Sequence, residues 1–155
     1  MRRVFLVLVL LAAVGLGGYA AFAFYWGVPA VKARPVPTDA ATIAKGRYLA
    51  AAGDCASCHT AEGNAPRFAG GRALDTPFGT LYSANITPAE GSGIAGMTTA
   101  DFYRIMRYGA DDVLAPLYPA MPYTSFHLVT REDSDAILAY RMSLDPVDKA
   151  PPEDE

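Results

Sequence analysis

The chain has 155 residues, with 13 Lys and Arg against 16 Asp and Glu, two cysteines and two histidines. That length holds one domain plus an appendage, and a mean hydropathy of +0.15 is high for a soluble domain. Setting aside Arg2 and Arg3 leaves 11 basic residues against 16 acidic, a net −5; this argues against nucleic acid, which wants a basic face, and suits a partner with a positive patch as well as a merely soluble surface.

The apolar excess sits at one end. Arg2 and Arg3 precede Val4 to Trp26, 23 residues without a charge. As a helix this run would be roughly 34 Å long, enough for a hydrocarbon core of about 30 Å. Residues 1–26 therefore read as a transmembrane anchor or a signal peptide. Ala21-Phe22-Ala23 is a possible cleavage site. The run continues past it into Phe24, Tyr25 and Trp26, longer than a usual signal core, and Tyr25 with Trp26 resembles an interfacial aromatic belt. The anchor is the favoured reading. The two arginines then keep the N-terminus cytoplasmic and put the rest outside the inner membrane of a bacterium, in the periplasm.

Residues 27–37 contain Pro29, Pro35 and Pro37 and read as an extended, semi-rigid linker. A domain spans 38–148. Thr38 or Asp39 can cap a helix running to about Ala52, with Ile43, Tyr48 and Leu49 on its apolar face. Gly46 inside that helix costs roughly 1 kcal/mol relative to Ala and marks a close helix crossing. Gly53 ends the helix.

Next comes Cys55-Ala56-Ser57-Cys58-His59, which holds both cysteines. C-x-x-C-H is the attachment signature of c-type haem. The spacing lets two thiols form thioethers with the two vinyl groups and puts His59 under the iron as proximal ligand. A zinc site needs about four ligands and finds three here, with His127 far along the chain. A redox dithiol needs no adjacent histidine, and a disulfide across two residues is strained.

Residues 60–97 are rich in Gly, Pro, Ala and Thr and show no periodicity. Nearly forty residues of loop fit a compact domain only if a large apolar cofactor replaces the missing core. Thr98 to Tyr108 reads as a helix with a Thr98/Asp101 capping box, a stripe of Phe102, Ile105 and Met106, and Gly109 as terminator. Thr130 to Leu144 repeats the device, with Thr130 and Asp133 at its start and Ile137, Leu138, Tyr140 and Leu144 facing inward. Residues 149–155 form an acidic tail, whose end from Pro151 reads as disordered.

A six-coordinate iron needs a second ligand. Met106 and Met142 fall within helices, where methionine usually packs in a core. Met97 precedes a cap, and His127 reads as well as a hydrogen-bonded histidine. Met121 lies in Leu117-Tyr118-Pro119-Ala120-Met121-Pro122-Tyr123, where flanking prolines stiffen the backbone and remove N–H groups that would need partners. Met121 is therefore the favoured distal ligand. His/Met ligation raises the potential relative to bis-His and fills the sixth position, which favours electron transfer over catalysis.

With these residues in place the chain resembles a class I c-type cytochrome. More narrowly it resembles a single haem domain of the cytochrome c subunits of membrane-bound periplasmic alcohol, gluconate and aldehyde dehydrogenases. The matching stretches are Gly46 to Leu49, Asp54 to Thr60, Gly70 to Arg72, Thr76 to Pro88, Thr99 to Phe102, Tyr118 to Tyr123 and Ala139 to Leu144. The resemblance implies an all-α cytochrome c fold, three to four helices and long loops around one haem, behind the N-terminal transmembrane helix. It implies thioethers at Cys55 and Cys58, axial ligands at His59 and Met121, and a crossing of the first and last domain helices at Gly46 near Tyr140. Those subunits usually carry three haem domains and a C-terminal membrane tie, so their particular dehydrogenase partners do not carry over.

The expected function is a membrane-anchored monohaem cytochrome c, not an enzyme. It would carry single electrons from an exported dehydrogenase or quinol-oxidising complex to a terminal oxidase or another cytochrome. The alternatives are a fixed haem relay within a larger respiratory or dehydrogenase complex and, less favoured, a haem peroxidase or gas sensor in which Met121 leaves the iron.

Overall fold

The computed structural model of the chain describes residues 2–111 and 116–155. It is mainly helical. Helix α1 (Arg2–Gly27) stands alone. Its Arg2–Phe22 stretch has a mean hydropathy of 2.4 and holds no buried residue, so this helix is long and apolar enough to cross a membrane. The expected aromatic belt at Tyr25 and Trp26 lies outside the described side chains.

Helix α2 (Ala40–Ala52) starts at Asp39, whose carboxylate accepts from the Thr42 N–H at 2.8 Å. Gly46 and Ala50 are its buried residues, flanked by half-buried Ile43 and Leu49. Tyr48, expected on this face, is exposed. At 100° per residue it stands about 200° round from Gly46, so the true stripe runs through 43, 46 and 50.

A single turn, α3 (Cys55–Cys58), is separated from α2 by Gly53 and Asp54. Helix α4 (Thr99–Tyr108) has the expected capping box: Thr98 Oγ1 accepts from the Asp101 N–H, and Asp101 accepts from the Thr98 N–H at 3.0 Å. Gly109 closes it at φ 62°. Phe102 and Met106 are buried as expected, and Ile105 is half-buried. After a short turn, α5 (Tyr123–Phe126), the last helix α6 (Arg131–Met142) starts at Thr130, whose hydroxyl accepts from the Asp133 N–H at 3.1 Å. It is the core element, burying Ser134 through Ala139 and Arg141.

Helix α6 packs on both α2 and α4. The crossing with α2 falls at Gly46 as expected: a Cβ there would lie 1.8 Å from the Ala136 carbonyl oxygen and 3.0 Å from Tyr140 Cβ. Lys45 Nζ and Asp133 Oδ1, 2.6 Å apart, tie the same two helices at the surface.

The 60–97 region departs from a plain loop. It carries an antiparallel hairpin, β1 (Ala73–Thr76) and β2 (Gly79–Tyr82), joined through Pro77-Phe78. Four-residue strands are too short for an alternating pattern to be read from sequence. The expected disordered tail instead lies along the free edge of β2. The Glu155 N–H donates to Thr80 O, and the Thr80 N–H to Glu155 O, at 2.9 and 3.0 Å. The linker also lies on the domain. The Arg34 N–H donates to Thr99 Oγ1 at 2.8 Å, Thr99 Oγ1 donates to Arg34 O at 2.9 Å, and Val36 packs against the core.

Two outcomes follow from the α2–α6 contact. Gly46→Ala gains about 1 kcal/mol of helix propensity, but its methyl meets backbone rather than a movable side chain. Overpacking costs about 1–3 kcal/mol or more, so a lowered Tm in a calorimetric scan is expected. For Asp133, the Lys45 ammonium and then the Thr130 hydroxyl hold the carboxyl below its ordinary value. A depressed folded-state pKa gives stability that is full above the unfolded value of about 3.9 and is lost as pH falls through the folded value. Asp133→Asn should therefore be less stable than the parent at neutral pH, and a Tm-against-pH series should show that gap closing in acid.

Candidate functional site

Asp54 adopts φ 50°, a left-handed residue between α2 and α3, a conformation that Asp tolerates better than most side chains. The one-turn helix then sets Cys55 and Cys58 three residues apart, on the same face. Both thiols are free and half-buried. His59 closes the turn, its N–H donating to Cys55 O at 3.0 Å.

The His59 ring is held from the loop opposite. Its Nδ1 lies 2.8 Å from the Ala84 carbonyl oxygen. A carbonyl only accepts, so Nδ1 carries the proton and Nε2 keeps its lone pair for a metal. Burial pushes the His59 pKa down, the Ala84 carbonyl opposes this, and the Arg141 charge adds to it. A neutral ring is the ligating form.

A net of backbone bonds fixes Ala84. The Gly70 N–H donates to His59 O, the Gly71 N–H to Ser83 O, the Ser83 N–H to Arg72 O and the Ile86 N–H to Phe68 O. Gly70 sits at φ 69°, where a Cβ would come within 2.4 Å of Ser83 O. Asn85, 2% exposed, uses its amide fully. Nδ2 donates to Val147 O and Lys149 O, and Oδ1 accepts from the Thr87 N–H and hydroxyl.

These elements enclose an apolar cavity of about 380 Å³. Cys55, Cys58, His59 and Met121 all line it, as do Met97 and Met106. Met106 is 4% exposed and packs with Phe102 in the core. Met121 is half-buried. Its loop is fastened to the end of α4 by the Leu117 N–H donating to Gly109 O at 2.8 Å and by the Tyr123 ring on Gly109. His127 is exposed and turned to its own helical turn, with Nδ1 2.5 Å from Thr124 O.

Arg141 is the residue that sequence reasoning missed. It is 1% exposed, all three guanidinium nitrogens lack a hydrogen-bond partner, and it also lines the cavity. Its guanidinium carbon lies 3.5 Å from the Phe68 ring centroid and 4.8 Å from that of Tyr140. Its spacing of four from Ile137 and three from Leu138, on the buried stripe of α6, was the available signal. Phe68 takes φ 67°, a costly conformation for a bulky residue, to reach this position. Cation–π contact is worth about 2 kcal/mol when desolvated, whereas an unpaired buried ion costs several.

The cavity fits haem c on three counts. It is apolar and has two free thiols on one turn. It has an imidazole with its outer nitrogen satisfied and its inner one free. It also has a buried cation with no anion from the protein, and haem carries carboxylates. Among the described residues no three His, Cys, Asp or Glu side chains converge as a zinc centre needs.

No protein-family model matches the chain. It is 51% identical over 114 residues to one of the subunits of nicotinate dehydrogenase from Pseudomonas putida, a match covering 74% of this chain and 10% of that one. It is 47% identical over 102 residues to the gluconate 2-dehydrogenase cytochrome c subunit of Pantoea cypripedii, covering 66% and 23%. It is 42% identical over 128 residues to the fructose dehydrogenase cytochrome subunit of Gluconobacter japonicus, covering 79% and 26%. The chain thus spans about a tenth to a quarter of the length of these relatives. With its C-x-x-C-H turn on an apolar cavity and these matches over most of its length, the chain is a homologue of the cytochrome c subunits of dehydrogenases.

Proposed function

We propose that the chain is a membrane-anchored, single-haem electron carrier. The observation that carries this reading is the common cavity of Cys55, Cys58, His59 and Met121. Cys55 and Cys58 would hold the haem as thioethers, with His59 Nε2 and Met121 as the side chains that would bind its iron. Haem supplies a one-electron couple when bound. The protein's part is to attach it, to fix the His59 ring through Ala84, and to shut water from the iron with apolar side chains such as Ile94, Phe102 and Ile137.

Met121 is chosen over Met97 and Met106 on local structure. Met106 is committed to the core stripe. Met97 follows Gly96 in a glycine-rich stretch with no proline beside it. Pro119 and Pro122 restrict the backbone around Met121, so less freedom is lost on ligation. A filled sixth position leaves no open site for substrate, and the role is transfer rather than catalysis.

Helix α1 anchors the domain, with Arg2 and Arg3 on the cytoplasmic side and the haem domain in the periplasm. Electrons come from an exported dehydrogenase or a quinol-oxidising complex and leave to another cytochrome or a terminal oxidase. A second reading makes the chain a fixed relay in a dehydrogenase complex. It is favoured by relatives that are themselves subunits, and by Gly15, Gly17 and Gly18, which have open space around them on α1 and would permit close helix contact. Stoichiometric co-purification in mild detergent would select the relay, and a monodisperse monomer the carrier.

In the wild type, expressed with covalent haem-maturation machinery, the reduced haem should not bind CO. Met121→Ala should open the sixth position and bind CO readily, seen as a shift of the reduced Soret band. CO binding by the wild type would remove Met121 from the iron.

A further inference from the structure

We propose that Arg141 sets the reduction potential of this cytochrome: its guanidinium, buried without a polar partner on the wall of the cavity that Cys55, Cys58 and His59 line, is a fixed positive charge facing the cofactor. The inference rests on the haem reading above and deepens it.

The electrostatics are direct. Reduction of ferric to ferrous iron adds one electron, supplied by a redox-protein donor, and no bond at Arg141 forms or breaks. A positive charge beside the cavity attracts that added electron and favours the reduced form. The interaction is strong because the side chain is 1% exposed, and water screens a buried charge little.

Among the described residues no anion of the protein offsets the charge, and a haem carboxylate paired with it would lose its own offset when the charge is removed, so the sign of the effect on the potential is the same either way. Phe68 and Tyr140 offer ring faces, which hold a planar guanidinium but carry no net charge. The titratable groups coupled to Arg141 are Cys55, Tyr140, Arg67 and His59, and no carboxylate is among them. Cys55 as a thioether cannot ionise, and Arg67 adds a second positive charge, 4.7 Å from the Phe68 ring centroid. Burial pulls the Arg141 pKa down, yet a guanidinium starts so high that it stays protonated. A Leu or Met would occupy this stripe position without any desolvation cost. The geometry therefore gives Arg141 an electrostatic task that packing does not require.

The test compares full-length wild type with R141M, R141Q and R141K, each carrying covalent haem, by redox titration in detergent. Loss of the charge should move the reduction equilibrium about tenfold toward the oxidised form, a midpoint 59 mV lower for one electron. R141K should recover most of that shift. Neutral variants with the wild-type midpoint would overturn the proposal, as would an R141K midpoint as low as theirs. Should the neutral variants not mature, R141H makes the comparison within one protein. Its midpoint relative to wild type should rise as pH falls through the titration of the new ring, and a flat difference would overturn the proposal. Wild-type protein without covalent haem would instead overturn the haem reading itself, so the two failures are distinct.

Discussion

The close contact of Gly46 with the Ala136 carbonyl governs the position of everything at the cavity. With no side chain at 46, α2 lies directly on α6. The Cys55–Cys58 turn follows α2 after only Gly53 and Asp54, so the two thiols and His59 inherit their placement from that crossing. Arg141 lies five residues beyond Ala136 on the same partner helix. One backbone approach therefore sets both the attachment side of the site and its buried charge. Helix α4 completes the frame from the other flank of α6, with Phe102 and Met106 toward the core.

Around this frame the chain handles its polar groups as a loop-rich protein must. Buried backbone groups outside helices and sheets still need partners, and here side chains supply many of them. Asn85 holds the C-terminal segment through two carbonyls, and Thr87 Oγ1 accepts from the Val147 N–H. Thr99, 1% exposed, bonds the Arg34 backbone and Arg131 together. The core is consequently thin and the cavity large. That combination suits a fold whose largest apolar body is a cofactor.

The parts of this arrangement that were legible in sequence are those with local causes. Caps at Asp39, Thr98 and Thr130 act within three residues, and C-x-x-C-H owes its spacing to one helical turn. Gly46 was legible because a glycine inside a helix is locally costly. The parts not legible depend on distant partners. Tyr48 is outside because the α2 stripe is set by where α6 lies. The hairpin strands are stabilised by a tail more than seventy residues away. Ala84 orients His59 through a carbonyl that every residue has, and Arg141 reads as an ordinary surface charge until its position on α6 is counted.

The docked linker has a consequence for encounter with partners. Arg34 is bonded through its backbone to Thr99 and paired through its side chain with Glu132 and Asp135, 3.3 and 3.6 Å away. The unattached chain between the end of α1 and Arg34 is residues 28–33, which span about 20 Å when fully extended. A domain on so short a leash explores a thin shell next to the point where α1 ends. With α1 as the anchor proposed above, residues 28–33 would set how far the cavity reaches from the membrane, and lengthening them would extend that reach without touching the cavity.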